Sequence, residues 1–340
     1  MLVSIIAVLA AVVWAAVATP TKAPLEHRSS PLDIITDLHS RQTGNLPSKF
    51  SWSSSDALVW PKDDGRNIAG IKDPSIVFYN GAYHVFVSTA QASGYNLVYF
   101  TFTDFAKANS STFHYLDQTP IGTGYRAAPE VFYFAPQKLW YLVYQNGNAA
   151  YSTNPDIANS AGWSAPINFY PAGVPATVSN NIGSGYWVDM WTSLANFPED
   201  MSEPVIALQD TANKYALYEA SNVYNVGGGT FLLLVEAIGS DGARYFRSWT
   251  SKSLAGSWTP LADTEANPFA RSNNILFASG KAWTKSISHG EVVRTAVDQT
   301  LTISPCGMRY LYQGLDPAAG GEYNALPWRL GLITQTNSTC

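Results

Sequence analysis

Three carboxylates stand where ionised groups are normally avoided. Asp73 lies between Lys72 and Pro74, directly ahead of the apolar run 75–79. Asp189 is embedded in Tyr186-Trp187-Val188-Asp189-Met190-Trp191, and Glu219 follows Ala216-Leu217-Tyr218. A charge in such company is costly unless it has partners. Carboxyls held among aromatic rings are what glycosidic hydrolysis needs: one protonated to donate to the leaving oxygen, another ionised to activate water. A turn cap or an ion pair would explain any one of the three equally well. Their recurrence on successive units favours catalysis. Other chemistries lack their residues. No C-x-x-C, H-E-x-x-H, G-x-S-x-G or P-loop occurs, and the five His are scattered. Gly227-Gly228-Gly229 lies between strand-like runs, where it makes a turn and not a phosphate cradle.

Strand signals supply the elements that position these groups. Asn80-Gly81 separates two β-rich runs, the strongest short hairpin signal. Residues 131–134 and 139–144 flank Ala135-Pro136-Gln137-Lys138, and 231–236 and 244–249 flank Ser240-Asp241-Gly242. Leu276-Phe277 precedes Ser279-Gly280, and the run 308–312 precedes a Gly-rich turn. No sustained 3.6-residue period appears, so helices should be short and few. An ionisable residue opens an apolar strand at Asp73, Glu130, Asp189, Glu219 and His289, at intervals of 57, 59, 30 and 70 residues. Such spacing suggests an all-β propeller of few, large blades whose inner strands converge on one face. A jelly roll or sandwich gives similar strand density without explaining the recurring marks. Glu130 reads as an ordinary strand-end residue. The step of 30 is short by about two strands, and residues 192–198 read as a surface loop.

Charged and aromatic residues each make up 13% of the 340-residue chain, and the net charge is −5. The acidic balance argues against nucleic acid as a partner, and the aromatic content argues against disorder. Residues 1–18 are apolar and end in Ala16-Val17-Ala18, an A-x-A-type cleavage site, though without a charged n-region. A membrane anchor is the alternative, but Pro20 follows at once and no later stretch could span a bilayer. The reading is a secreted, extracellular protein, with a signal peptide at 1–18, a flexible leader or pro-segment at 19–45, and a catalytic domain at 46–340. Secretion permits a disulfide between Cys306 and Cys340, the only cysteines; two unpaired thiols are equally compatible. Asn109 and Asn337 open N-x-[ST] glycosylation triplets.

From residue 46 to 333 the chain resembles the α-L-arabinofuranosidases of glycoside hydrolase family 62. The resemblance is carried by LPSKFSW, IKDPSIVFYNGAYHVF, YRAAPEVFYFAPQKLWYLVYQNGNAAYSTNPDI, GYWVDMW, EASNVYNV, LLLVEAIGSDGARYFRSWTS, SHGEVVR and LYQGLDPAAGGEYNALPWR. It implies a five-bladed β-propeller, here with one shortened blade. It also implies hydrolysis of arabinofuranosyl side chains from arabinoxylan or arabinoxylo-oligosaccharides, with inversion and without an organic cofactor, by a monomer. By the same resemblance Asp73 is the general base, Glu219 the general acid, and Asp189 the auxiliary acid that orients Glu219. His289 approaches an axial cation assigned as structural calcium; an ordinary channel histidine is the alternative. Tyr323 and Asn324 line the arabinose pocket and xylan groove. Asn222, in EASNVY, joins the substrate-contact set, with Lys72, Gln145, Asn146 and Arg247 as looser candidates. An arabinanase or xylosidase of neighbouring five-bladed families fits the segments less well.

Three departures stand out. The strand pair that family members carry after WVDMW is absent, where the short interval fell. The cysteine often found near the start of the domain is missing, leaving Cys306 without that partner. Glu130 stands where an uncharged residue is expected. Loss of the strand pair should expose a sheet edge and weaken support for Asp189, so a non-catalytic sugar-binding propeller is the competing reading. Low stability and weak arabinose release are expected relative to a version carrying the strand pair. Cooperative unfolding with undiminished release would contradict this.

Overall fold

Asn80 and Gly81 take positive φ angles of 49° and 81° and fold Gly70–Tyr79 back against Ala82–Gln91. The turn works because glycine carries no Cβ penalty there and Asn tolerates the left-handed region. Hairpins of this kind build each blade in a computed structural model that describes residues 4–8, 45–182, 197–198, 205–338 and 340. The first blade continues with Gly94–Phe102 and His114–Tyr115. The second comprises Ala127–Phe134, Leu139–Gln145, Ala149–Asn154 and Ile167–Asn168. The fourth comprises Glu219–Asn225, Phe231–Ile238, Arg244–Ser251 and Thr259–Ala262.

The fifth blade is made from both ends of the domain. Ser288–Val292, Arg309–Gly314 and Arg329–Gln335 run antiparallel, and Trp52–Ser54 then pairs with Arg329–Gln335. Ile275–Phe277 adds a parallel outer strand against Trp52–Ser54, so Leu276-Phe277 is an edge and not half of a hairpin. Cys306 and Cys340 are joined, with Cα atoms 5.8 Å apart, which resolves the open cysteine question in favour of the bridge. Asn337 accepts from the Ser51 amide and donates to the Lys49 carbonyl, binding the same two ends together.

Four of the expected five blades are sheets among the described residues. Of the third, Val205–Asp210 is described, paired antiparallel with Ser4–Val8 from the stretch read as a signal peptide. Asp189 and Trp191 lie outside the described residues, as does the leader over 19–44. The flanks of the third blade can still be followed. The side of blade two opposite its packing on blade one is a buried aromatic sheet face of Phe132, Phe134, Tyr141, Tyr151 and Phe169. Phe197 packs into its middle, with its ring centroid 4.7 Å from that of Tyr141. Residues 192–198 were expected to form a surface loop, yet Phe197 is buried because that aromatic face would otherwise meet water. On the other flank, Ala207 and Leu208 cover Leu233, Val235 and Trp249 of blade four.

Between the complete blades the packing is continuous. Val77, Phe86 and Tyr99 of blade one interlock with Val131, Trp140 and Tyr144 of blade two. Tyr224, Leu234 and Phe246 of blade four meet Trp52, Tyr310 and Tyr312 of blade five. Among the described residues helices are confined to short 3-10 turns and Ala176–Ile182, and none is long and apolar enough to cross a membrane.

Every described inner strand is broken near its start by a β-bulge. The register shifts between Lys72 and Ser75, Ala127 and Glu130, Glu219 and Asn222, and Ser288 and Gly290. In the first three, one residue takes positive φ: Asp73 (52°), Ala128 (51°) and Ala220 (53°). A bulge bends the strand and re-aims its side chains, here towards the propeller axis. A non-glycine residue in this region costs about 1–2 kcal/mol, which the surrounding sheet must offset.

Removal of the Phe197 ring tests how firmly the third-blade segment is held. Phe197→Ala should cost about 3–5 kcal/mol of stability in urea denaturation, as for a buried aromatic. A change below about 0.5 kcal/mol, the range of ordinary surface substitutions, would show that the ring does not anchor it.

Candidate active site

The bulge of blade one presents Asp73 at the mouth of the axial channel. Its amide donates to Gln313 Oε1 at 2.6 Å, and Oδ1 lies 3.2 Å from His289 Nδ1. Ser88 Oγ accepts from the Ala128 amide at 2.8 Å and turns its proton to the Asp73 carboxylate. His289 can approach this closely because Gly290 follows it: a Cβ on Gly290 would sit 2.2 Å from the Leu311 carbonyl oxygen.

Asp73 is buried, and burial alone would raise its carboxyl. The neighbouring Lys72 ammonium, then the His289 charge and hydrogen bond, then Ser88 outweigh burial and hold it well below the usual carboxylate range. Lys72 is itself 5% exposed. Its ammonium donates to the Tyr323 hydroxyl at 3.0 Å and lies 4.6 Å from that ring, with Tyr95 and Trp328 also facing it. Burial opposes its charge, but Asp73 and the tyrosines raise its pKa above that of a free lysine.

Glu219 opens the inner strand of blade four, one bulge position before the level of Asp73. Its side chain is 30% exposed and is paired with Arg244. The same guanidinium nitrogen lies 2.6 Å from Glu236 Oε1, and the second reaches the Tyr323 hydroxyl at 3.2 Å. Glu219 and Glu236 face each other across the sheet, so Arg244 separates two like charges. Glu236 is completely buried, and its Oε2 accepts from Ser288 Oγ (2.9 Å) and the His289 amide (2.7 Å). Burial pushes the Glu236 carboxyl up, with Arg244 pulling against it. Gln313 Nε2 donates to Ser288 Oγ at 2.9 Å, completing a chain of contacts from the Asp73 amide to the Glu219 carboxylate.

Tyr323 joins the two sides from above. Its hydroxyl accepts from Lys72 and Arg244, which leaves its own proton for a ligand. Asn324 sits beside it in the turn Tyr323–Ala325. Tyr95, Tyr125 and Tyr218 complete an aromatic rim. Gln145 accepts from the Tyr125 hydroxyl at 2.8 Å. Two of the looser candidates are turned elsewhere. Asn146 is engaged by Arg126 and Asn168. Arg247 is held by the carbonyls of Ala216 and Asp263 and by the Asp263 carboxylate, so Arg244, three residues earlier, reaches the carboxylates in its place.

Beneath Asp73 the axial channel narrows to a small cavity lined by Ser75, Glu130, Gln145, Asn222, His289 and Glu291. Asn222 is therefore below the mouth and not in the rim, and Glu130 faces the axis instead of ending in a loop. Asn222 Oδ1 is buried with no hydrogen-bond partner among the described residues. Glu291 is committed to Ser75 Oγ and the Ile76 amide. No group of three or more His, Cys, Asp or Glu among the described residues is placed to hold a metal. Glu130 and Asn222 offer oxygen donors that suit a hard, water-rich cation, with His289 at its edge.

Sequence reasoning did not reach Arg244, Glu236, Ser288, Gln313 or Ser88. The pairing of Glu219 with Glu236 depends on hairpin register, and the others approach from different blades.

A tyrosine-rimmed site of paired carboxylates and cations on the inner strands defines the chain as a β-propeller with an axial site. Comparison narrows this. The description "Glycosyl hydrolase family 62" matches residues 51–184 and 179–334, and the chain belongs to that family. The two matches overlap at 179–184, just ahead of the short interval after Asp189. The catalytic domain of a family 62 α-L-arabinofuranosidase from Coprinopsis cinerea is 62% identical, with a TM-score of 0.84, over 87% of this chain and 100% of that one. An α-L-arabinofuranosidase from Podospora anserina, solved with cellotriose, is 59% identical at a TM-score of 0.84, over 87% and 99% of the two chains. α-L-Arabinofuranosidase C of Cellvibrio japonicus is 41% identical over 86% of this chain, which spans 48% of that protein's length.

The role of Lys72 is open to test. A depressed Asp73 pKa keeps the carboxylate ionised in acid; its stabilising contribution is present above the unfolded value and is lost as pH falls through the folded one. Lys72→Met should therefore raise the pH at which Asp73 takes up its proton, followed by NMR titration of that carboxyl. An unmoved titration would show that Lys72 does not hold the Asp73 charge.

Proposed function

We propose that the chain is an inverting α-L-arabinofuranosidase that removes arabinofuranosyl side chains from arabinoxylan or its oligosaccharides. The observation that carries this reading is the contrast between the two carboxylates. Asp73 is buried and held ionised; Glu219 stands at the half-exposed mouth, on the side open to a polymer. Asp73 draws a proton from a water as it attacks the anomeric carbon. Glu219 protonates the departing xylan oxygen, and Asp189 orients it. Lys72 and Tyr323 contact sugar hydroxyls, with Asn324 and the tyrosine rim bordering the xylan groove. A family 62 hydrolase solved with xylotriose, 57% identical over 88% of this chain, supports a xylan main chain as the ligand. Inversion requires the carboxyls to stand about 6.5–9.5 Å apart with water between them. No organic cofactor enters the reaction. A structural calcium ion would be held by Glu130, Asn222 and His289 with several waters, and would brace the inner strands.

Secretion to the extracellular medium, action as a monomer, and glycosylation at Asn109 and Asn337 belong to the same proposal. Asn109 accepts from the Trp60 amide on an outer turn.

One observation favours a second reading. Arg244 pairs with Glu219, and a permanently ionised Glu219 could not donate a proton. A sugar-binding propeller without turnover would then result.

Incubation with wheat arabinoxylan separates the two. Free arabinose that appears first as the inverted anomer by proton NMR, and that falls at least 100-fold in Asp73→Asn, is expected. Retention on the polymer without release would establish the binder. A retained anomer would overturn inversion.

A further inference from the structure

We infer that Gln313 is a positioning residue for the proposed general base: by taking the Asp73 amide it pins the backbone form that aims the carboxylate. This rests on the proposed hydrolysis. The bulge withdraws the Asp73 amide from the ladder with Ala82–Gln91, whose register jumps from Lys72 to Ser75. Gln313 is buried, and its Oε1 takes that amide at 2.6 Å. A buried amide without an acceptor is costly, so this bond favours the one backbone form, with φ at 52°, that presents it. The far end of the side chain is fixed as well. Ser288 Oγ donates to Glu236 Oε2 at 2.9 Å, so towards Gln313 it can only accept, and Nε2 donates to it at 2.9 Å. The carboxamide oxygen therefore always faces Asp73.

The same device recurs in two other blades. Ser88, opposite Lys72 in register, takes the Ala128 amide of blade two at 2.8 Å. Glu236, opposite Glu219, takes the His289 amide of blade five at 2.7 Å. Gln313 stands opposite Ser288 in the corresponding place. In each case the second strand of one blade captures the bulge amide of the next described blade. Of the three amides, only that of Asp73 belongs to the proposed base. A neutral acceptor suits it, since a carboxylate there would set like charges together.

A double-mutant cycle with Asp73→Asn supplies the readout. Gln313→Met keeps the side-chain length and removes both hydrogen-bonding ends. Its kcat on an arabinoxylo-oligosaccharide should fall by about 10- to 100-fold, part of what a general base supplies, with KM changed by less than about twofold. In the Asp73→Asn background the same substitution should lower kcat by less than about twofold, because the carboxylate it positions is already gone. A merely structural role would multiply the two losses. Multiplied losses overturn the inference, as does a single variant with unchanged kcat or with its loss confined to KM. Where Gln313→Met does not fold, Gln313→Asn, a methylene too short to reach both partners, goes through the same cycle with the same expectations. Undiminished release by Asp73→Asn, or a parent that releases no arabinose, overturns the proposed base and this inference together. Multiplied losses beside an impaired Asp73→Asn overturn the inference alone.

Discussion

Keeping a carboxylate charged inside protein is the constraint on which this site depends. Asp73 has left water, and a lone charge so placed would take up a proton. Three groups prevent that: Lys72 from the same strand, Ser88 from its hairpin partner, and His289 from the blade on the other side, where Gln313 also holds the Asp73 amide. Each of these groups is itself fixed by another blade or loop: Lys72 by Tyr323, Ser88 by the Ala128 amide. The electrostatics of one residue thus depend on closure of the whole ring, because two of its supports reach it only when the fifth blade docks on the first.

The bulges connect this requirement to the fold. Aligned by register, Lys72-Asp73-Pro74-Ser75 corresponds to Ala127-Ala128-Pro129-Glu130 and to Glu219-Ala220-Ser221-Asn222. One backbone device is repeated and loaded differently in each blade. Blade one places its carboxylate on the left-handed residue, blade four one position earlier, and blade two two positions later, in the deeper cavity. The three carboxylates therefore occupy three heights along one axis. This also explains why evenly spaced acidic marks could be read from sequence although their bearers do different things.

Hairpins were legible because their turns carry their own chemistry, as at Asn80-Gly81 and Ser240-Asp241-Gly242. The short interval after Asp189 was legible because blade length is nearly constant. Asp73 and Glu219 could be read from their local settings; Lys72 entered only as a looser candidate beside the family resemblance. Arg244 could not, since the sequence offers Arg244 and Arg247 on one strand and only register shows which reaches Glu219. Phe197 was misread for a related reason. Its neighbours in sequence are loop-like, while the surface that buries it belongs to a blade some 60 residues earlier. Glu130 looked like a strand end because a bulge cannot be seen without its partner strand. Whether Cys306 and Cys340 meet is a matter of where the two chain ends lie, which composition does not encode.

The fifth blade adds a consequence in time. Its fourth strand, Trp52–Ser54, lies near the start of the domain and pairs with Arg329–Gln335 at its finish. On the ribosome, the early strand emerges long before its neighbour exists, and it must wait while four other units are synthesised. The channel, with its charged residues, stays an open arc until the last strand is released. Final docking is then a long-range step of the slow kind, and only afterwards does the acidic centre acquire the surroundings that let it work.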